Sequence, residues 1–87
     1  MQRNIEFTKN FVKQYAKLDT KIQRKCDTRI KDFKLNPRSP HLHMHALNGK
    51  YSEYYSINIT GDMRALFKIL DNKIYLFNII GTHSQLY

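Results

Sequence analysis

The stretch YSEYYSINITGDMRALFKILDNKIYLFNII, Tyr51 to Ile80, decides the fold. Its hydrophobic period is two. Tyr51 to Ile59 alternates, Thr60-Gly61-Asp62 makes a tight turn, and Met63 to Leu70 forms a second run. Asp71-Asn72 turns again before a third run, Lys73 to Ile80. Alternation places successive side chains on opposite faces of a pleated strand, and short polar turns join such strands into an antiparallel meander.

Upstream the period changes. Asn4-Ile5-Glu6-Phe7 alternates as a short strand, and Thr8 is an N-cap candidate, with Phe7 placed to staple against Val12. Phe11, Tyr15 and Leu18 recur at helical spacing, which predicts a first helix over residues 9–18. Asp19-Thr20 breaks it and caps a second. There Ile22, Cys26, Ile30 and Phe33 form an i, i+4, i+8, i+11 stripe, and Asn36-Pro37 stops the helix near Leu35. Residues 36–50, with both prolines, read as loop with some extended character. The expected order is β-α-α-β-β-β. This is an α+β fold, a single domain over residues 1–87, with two N-terminal helices packed on a small antiparallel sheet that the first strand joins.

Composition narrows the function classes. A chain of 87 residues builds one modest core, and 41% hydrophobic with 13% aromatic residues is too rich for disorder. Such a size favours a surface groove over a deep cofactor pocket. One cysteine, Cys26, excludes an internal disulfide and points to a reducing compartment. Met1 to Glu6 has no apolar leader core, and the longest apolar run, Ile74 to Ile80, is interrupted by Asn78 and too short to span a bilayer. The expectation is a cytoplasmic protein that does not enter a membrane.

Charge is the more informative quantity. Fifteen Lys and Arg against seven acids give a net +8. Ten of those cations and four of the acids fall in residues 1–34, so the segment of the two helices carries most of the excess. That calls for a polyanion, or for an acidic protein partner that neutralises it. Lys21, Arg24, Lys25, Lys31 and Lys34 lie off the apolar stripe of the second helix and are the candidate polyanion-binding cations, together with Lys50 and His43 in the loop.

Several side chains could carry chemistry. His41, His43 and His45 alternate and would share one side of an extended segment, but residues 33–52 hold no acid to complete a metal site, and no metal is assigned. Arg64 stands in an otherwise apolar strand. It could snorkel outward, pair with Glu53 on the neighbouring strand, or clamp a phosphate with its planar fork. His83 follows the last strand, and imidazole is the side chain that exchanges a proton near neutral pH.

In order and spacing these residues resemble a known family. His45-Ala46-Leu47-Asn48-Gly49, followed by Ser56-Ile57-Asn58-Ile59-Thr60-Gly61-Asp62-Met63-Arg64, is similar to the H-x-L-x-G and S-I-x-I-x-G-[DN]-x-R patterns of RelE/HigB toxins. The ending Gly81-Thr82-His83-Ser84-Gln85-Leu86-Tyr87 resembles the G-[ST]-H-x-x-L-[FY] tail of YafQ-like toxins. The resemblance covers nearly the whole chain. It implies a RelE-like fold and the toxin of a type II toxin–antitoxin pair, held inactive in a hetero-oligomer by a cognate antitoxin. It also implies ribosome-dependent cleavage of messenger RNA, in which the RNA's own 2′-hydroxyl attacks the adjacent phosphate without a metal or other cofactor. The resemblance thereby makes RNA or the ribosome the polyanion that the candidate cations bind.

Carried over by position, the resemblance makes His83 and His45 the proton-transfer candidates and Arg64 the stabiliser of the phosphorane. Asp62 would orient a histidine or share in proton transfer, and Tyr87 would position a base. The sequence departs from the YafQ-like pattern at Asn58, where a histidine is usual, at Ser56, where an acid is usual, and at Met63, where a large aromatic is usual. His43 is a possible substitute, and the division of acid and base roles stays open. Two other classes remain: a ParE-type toxin that inhibits DNA gyrase, and a nucleic-acid-binding module using Tyr51, Tyr54 and Tyr55 for base stacking or simply packing them into the sheet.

Overall fold

A computed structural model describes residues 4–86. Strand β1 is Asn4–Phe7, followed by helices α1, Lys9–Ala16, and α2, Thr20–Leu35. A 3-10 turn, Pro40–Leu42, leads to the two-residue strand β2, His45–Ala46, and a second 3-10 turn covers Gly49–Tyr51. The meander is β3, Tyr55–Asn58, β4, Met63–Leu70, and β5, Ile74–Thr82, with a last helical turn, α3, at His83–Leu86. Among the described residues no helix is long and apolar enough to cross a membrane.

Both helices start where the polar side chains dictate. Thr8 Oγ1 accepts from the Phe11 amide at 3.1 Å, and Asp19 Oδ1 accepts from the Ile22 amide at 2.9 Å. Each cap satisfies an amide that has no partner inside the helix, typically worth about 1 kcal/mol. The staple differs from expectation. Phe7 lies against Phe11, with ring centroids 5.1 Å apart, and Val12 is exposed.

The five strands lie in the order β1-β5-β4-β3-β2. The architecture is α+β, and the sheet is mixed where the sequence predicts a purely antiparallel one. β1 runs parallel to β5, with Phe7 opposite Phe77, because the helices and the meander intervene before the chain returns beside its first strand. Parallel pairing needs such a long crossover. His45 and Ala46 add a fifth strand by pairing with Ser56 and Tyr55.

The sheet has two unlike faces. Ile57, Ala65, Phe67, Phe77 and Ile80 face the helices and join Phe11, Cys26, Ile30 and Phe33 in the main core. The opposite face carries a smaller cluster of Leu47, Leu66 and Leu86, flanked by Tyr51, Tyr54 and Ile79. Asn78, the polar break in the last apolar run, is a bulge, since Leu66 pairs with Ile79 and Phe67 with Phe77. Its side chain accepts from Thr8 Oγ1 at 2.9 Å and donates to the Tyr54 hydroxyl at 2.6 Å, joining the start of α1 to the far face.

Cys26 is 1% exposed, and burial, then the neighbouring Asp27 charge, pushes its thiol up to about 12 from 9.0. A thiolate is the reactive form, so the folded protein at pH 8 holds far less of it than an unshifted thiol would. Alkylation of Cys26 should therefore be very slow in the native protein and rapid in denaturant. Fast stoichiometric labelling of the folded protein at pH 8 would contradict this burial.

Candidate active site

On the face away from the helices the chain builds an open groove of about 580 Å³, lined by His43, Met44, His45, Leu47, Asn58, Arg64 and His83. Four separate segments contribute: the stretch around β2, the end of β3, the start of β4 and the start of α3. Sheet register explains the meeting. Asn58 is opposite Arg64, and Arg64 is opposite Gly81, two residues before His83. His45 pairs with Ser56, one same-face step along β3 from Asn58.

The β3–β4 turn holds the groove together. Thr60 Oγ1 accepts from the amides of Asp62 and Met63 at 3.3 and 3.0 Å, a local bonding pattern typical of threonine in turns. That fold of the backbone gathers carbonyls around Arg64, whose Nη1 donates to the oxygens of Thr60, Gly61 and Met63 at 3.1, 3.1 and 3.2 Å. One guanidinium nitrogen is thus anchored, while Nε and Nη2 remain as a planar donor edge of the kind that grips a phosphate. The pairing with Glu53 does not form. Glu53 lies 3.3 Å from Lys68 instead.

The same turn fixes His83, whose backbone amide donates to the Asp62 carbonyl at 2.9 Å. Thr82 and Gln85 close a reciprocal capping box behind it. The Gln85 amide donates to Thr82 Oγ1 at 3.2 Å, and Gln85 Oε1 accepts from the Thr82 amide at 2.8 Å. Gly81 leaves room for it, since a Cβ there would stand a tight 3.0 Å from Gln85 Oε1. The T-x-x-Q spacing is the sequence signal for this short helix, which the expected β-α-α-β-β-β order lacks.

The other assigned residues fall in different places. Asp62 is exposed and outside the groove lining, and its contribution to the site is the main-chain contact with His83. Lys50 also lies outside the lining, with Nζ 5.3 Å from the centre of the Tyr51 ring. Lys21, Arg24, Lys25, Lys31 and Lys34 belong to α2, which packs on the opposite sheet face, so the structure does not bring them together with the groove. Lys31 and Lys34 instead border an apolar groove of about 570 Å³ that includes Phe7, Phe11, Val12 and Ile30. Tyr87 lies outside the described residues.

The alternating histidines do not form one edge. His41 is in the first 3-10 turn, His43 has a left-handed backbone, and only His45 is in a strand. Among the described residues no group of three or more His, Cys, Asp or Glu is placed to hold a metal. The three tyrosines are engaged within the protein. Tyr55 stacks on Phe67 with centroids 5.5 Å apart, Tyr54 bonds Asn78, and Tyr51 meets Tyr54 edge-on at 5.9 Å.

A five-stranded mixed sheet with two helices on one face has counterparts among solved structures. The chain has the RelE/YafQ toxin fold. YafQ in the Escherichia coli DinJ-YafQ toxin-antitoxin complex matches with a TM-score of 0.72 and 23% identity, over 100% of this chain and 99% of that one. The YoeB/ParE toxin of Agrobacterium tumefaciens matches with a TM-score of 0.74 and 18% identity, over 92% and 98%. The RelBE2 toxin-antitoxin complex of Mycobacterium tuberculosis matches at 0.68 and 17%, over 95% and 100%. No family model matches the sequence, and no curated protein matches it significantly. At these identities the RelE/YafQ likeness establishes the fold, and the chemistry must be argued from the groove.

Proposed function

We propose that this chain is the toxin of a toxin–antitoxin pair and acts as a metal-independent endoribonuclease on ribosome-bound messenger RNA. One observation carries the reading: two histidines and a half-free guanidinium, from segments far apart in sequence, line a single open groove. Cleavage by the RNA's own 2′-hydroxyl needs those groups. The O2′–P bond forms and the P–O5′ bond breaks, leaving a 2′,3′-cyclic phosphate and a 5′-hydroxyl. One group must take the 2′-hydroxyl proton, another must protonate the leaving 5′-oxygen, and a cation must stabilise the phosphorane. His45 and His83 serve the proton transfers and Arg64 the phosphorane.

His43 lines the same groove as Asn58, which supports its role as the substitute for the histidine missing there. The cations of α2, remote from the groove, suit ribosomal RNA or an acidic partner better than the scissile phosphate. Solved neighbours bound in toxin-antitoxin complexes support a cognate antitoxin as that partner.

Mapping of messenger RNA 5′ ends in a translating extract tests the reading. Wild type should create discrete ends in frame with codons, bearing 5′-hydroxyls, and His83→Ala should reduce them by about 10²-fold or more. Growth arrest in cells without new ends would overturn it in favour of a gyrase-directed toxin. Salt-sensitive RNA binding without products would favour a binding module.

A further inference from the structure

His43 has φ 45° and ψ 45°, a left-handed backbone at the end of the first 3-10 turn. Residues with a Cβ adopt that conformation at a cost, although histidine is among the non-glycine residues enriched there. The consequence appears two residues later, where the His43 carbonyl meets His45 Nδ1 at 2.7 Å. A carbonyl oxygen can only accept, so Nδ1 must carry the proton. In the neutral ring the lone pair then resides on Nε2. Free histidine in water favours the reverse arrangement, with the proton on Nε2.

We infer that the main-chain carbonyl of His43, aimed by this left-handed turn, is a positioning group that holds His45 in its Nδ1–H form and keeps Nε2 as the ring's proton acceptor. The hydrogen bond also fixes the ring's orientation on a strand of only two residues, where little else restrains an exposed side chain. The consequence for catalysis rests on the ribonuclease reading. His45 Nε2 takes the proton from O2′ as the O2′–P bond forms, and His83 gives a proton to O5′ as the P–O5′ bond breaks. Backbone shape at His43 thereby decides which ring nitrogen of His45 exchanges the proton.

Two variants separate the carbonyl from the His43 side chain. His43→Asn and His43→Val both remove the imidazole, but asparagine tolerates the left-handed region and a β-branched valine does not. Long-range ¹H–¹⁵N spectra of the neutral ring should show His45 as Nδ1–H in wild type and in His43→Asn. In His43→Val the ring should revert toward the Nε2–H form, with kcat for RNA cleavage about tenfold below that of His43→Asn and KM little changed. An Nε2–H ring in wild type, or an unchanged ring and rate in His43→Val, would overturn the proposal. A wild-type Nδ1–H ring in a protein that cuts no RNA would instead uphold the tautomer assignment and remove the ribonuclease reading.

Discussion

Arg64→Ala should lower RNA cleavage by about 10²–10³-fold, the usual loss when one preorganised donor to a developing anion is removed. The site is built for that donor. The Thr60 and Gly61 carbonyls of the turn and that of Met63 hold Nη1, so the guanidinium needs no reorganisation when charge builds on the phosphate oxygens. Arg64→Lys should recover only part of the loss, because an ammonium keeps the charge but lacks the planar fork, and cannot use one nitrogen as anchor and another as clamp. Single-turnover cleavage rates decide the matter, with thermal melts to show that each variant is folded. Cleavage within a few-fold of wild type in a folded Arg64→Ala protein would remove Arg64 from the mechanism.

Phe33→Ala should destabilise the protein by about 3–5 kcal/mol, the range for deleting a fully buried aromatic ring. Phe33 is 0% exposed, and its ring meets Phe67, Tyr75 and Phe77 at centroid distances of 5.0, 5.3 and 5.5 Å, all near edge-to-face. With Cys26 and Ile30 it joins α2 to the sheet, and an alanine side chain cannot fill the space it would leave. A domain of this length has a total stability of about 4–13 kcal/mol, so the variant should be marginal or unfolded. Leu35→Ala, two residues on and 69% exposed, should change stability by about 0.5 kcal/mol or less. Urea denaturation measures both. A Phe33→Ala loss below about 1 kcal/mol would mean that α2 does not pack as described.

Most of the fold was written in local pattern. The stripe Ile22, Cys26, Ile30, Phe33 sets which face of α2 is buried, and Thr8 and Asp19 mark the helix starts, because caps and periodicity act over a few residues. Met63–Leu70 was legible to the residue. The expected strand from Tyr51 shortened to Tyr55–Asn58, because Gly49–Tyr51 coils into a 3-10 turn that alternation alone does not reveal. Asn78 announced a break in the last strand, but not that the break is a bulge bonded to both Thr8 and Tyr54.

The candidate site was legible as residue types and only partly as an arrangement. His45, Arg64 and His83 were singled out by their chemistry and by motif resemblance, and they meet in one groove. The cations of α2 were equally conspicuous, yet they lie on the other face of the sheet, since charge counting carries no direction.

By itself the sequence determined the helices, their caps, the three-stranded meander and the strongly basic balance, all properties of neighbours along the chain. Only the tertiary structure decided that β1 runs parallel to β5, that the Thr60–Asp62 turn holds both Arg64 and His83, and that the His43 carbonyl selects the tautomer of His45. The physical reason is one of range. Periodicity and capping are fixed within a helical turn or a strand, whereas strand direction and sheet face depend on contacts between residues tens of positions apart. The tautomer depends on something smaller still, one backbone carbonyl whose aim no residue type records.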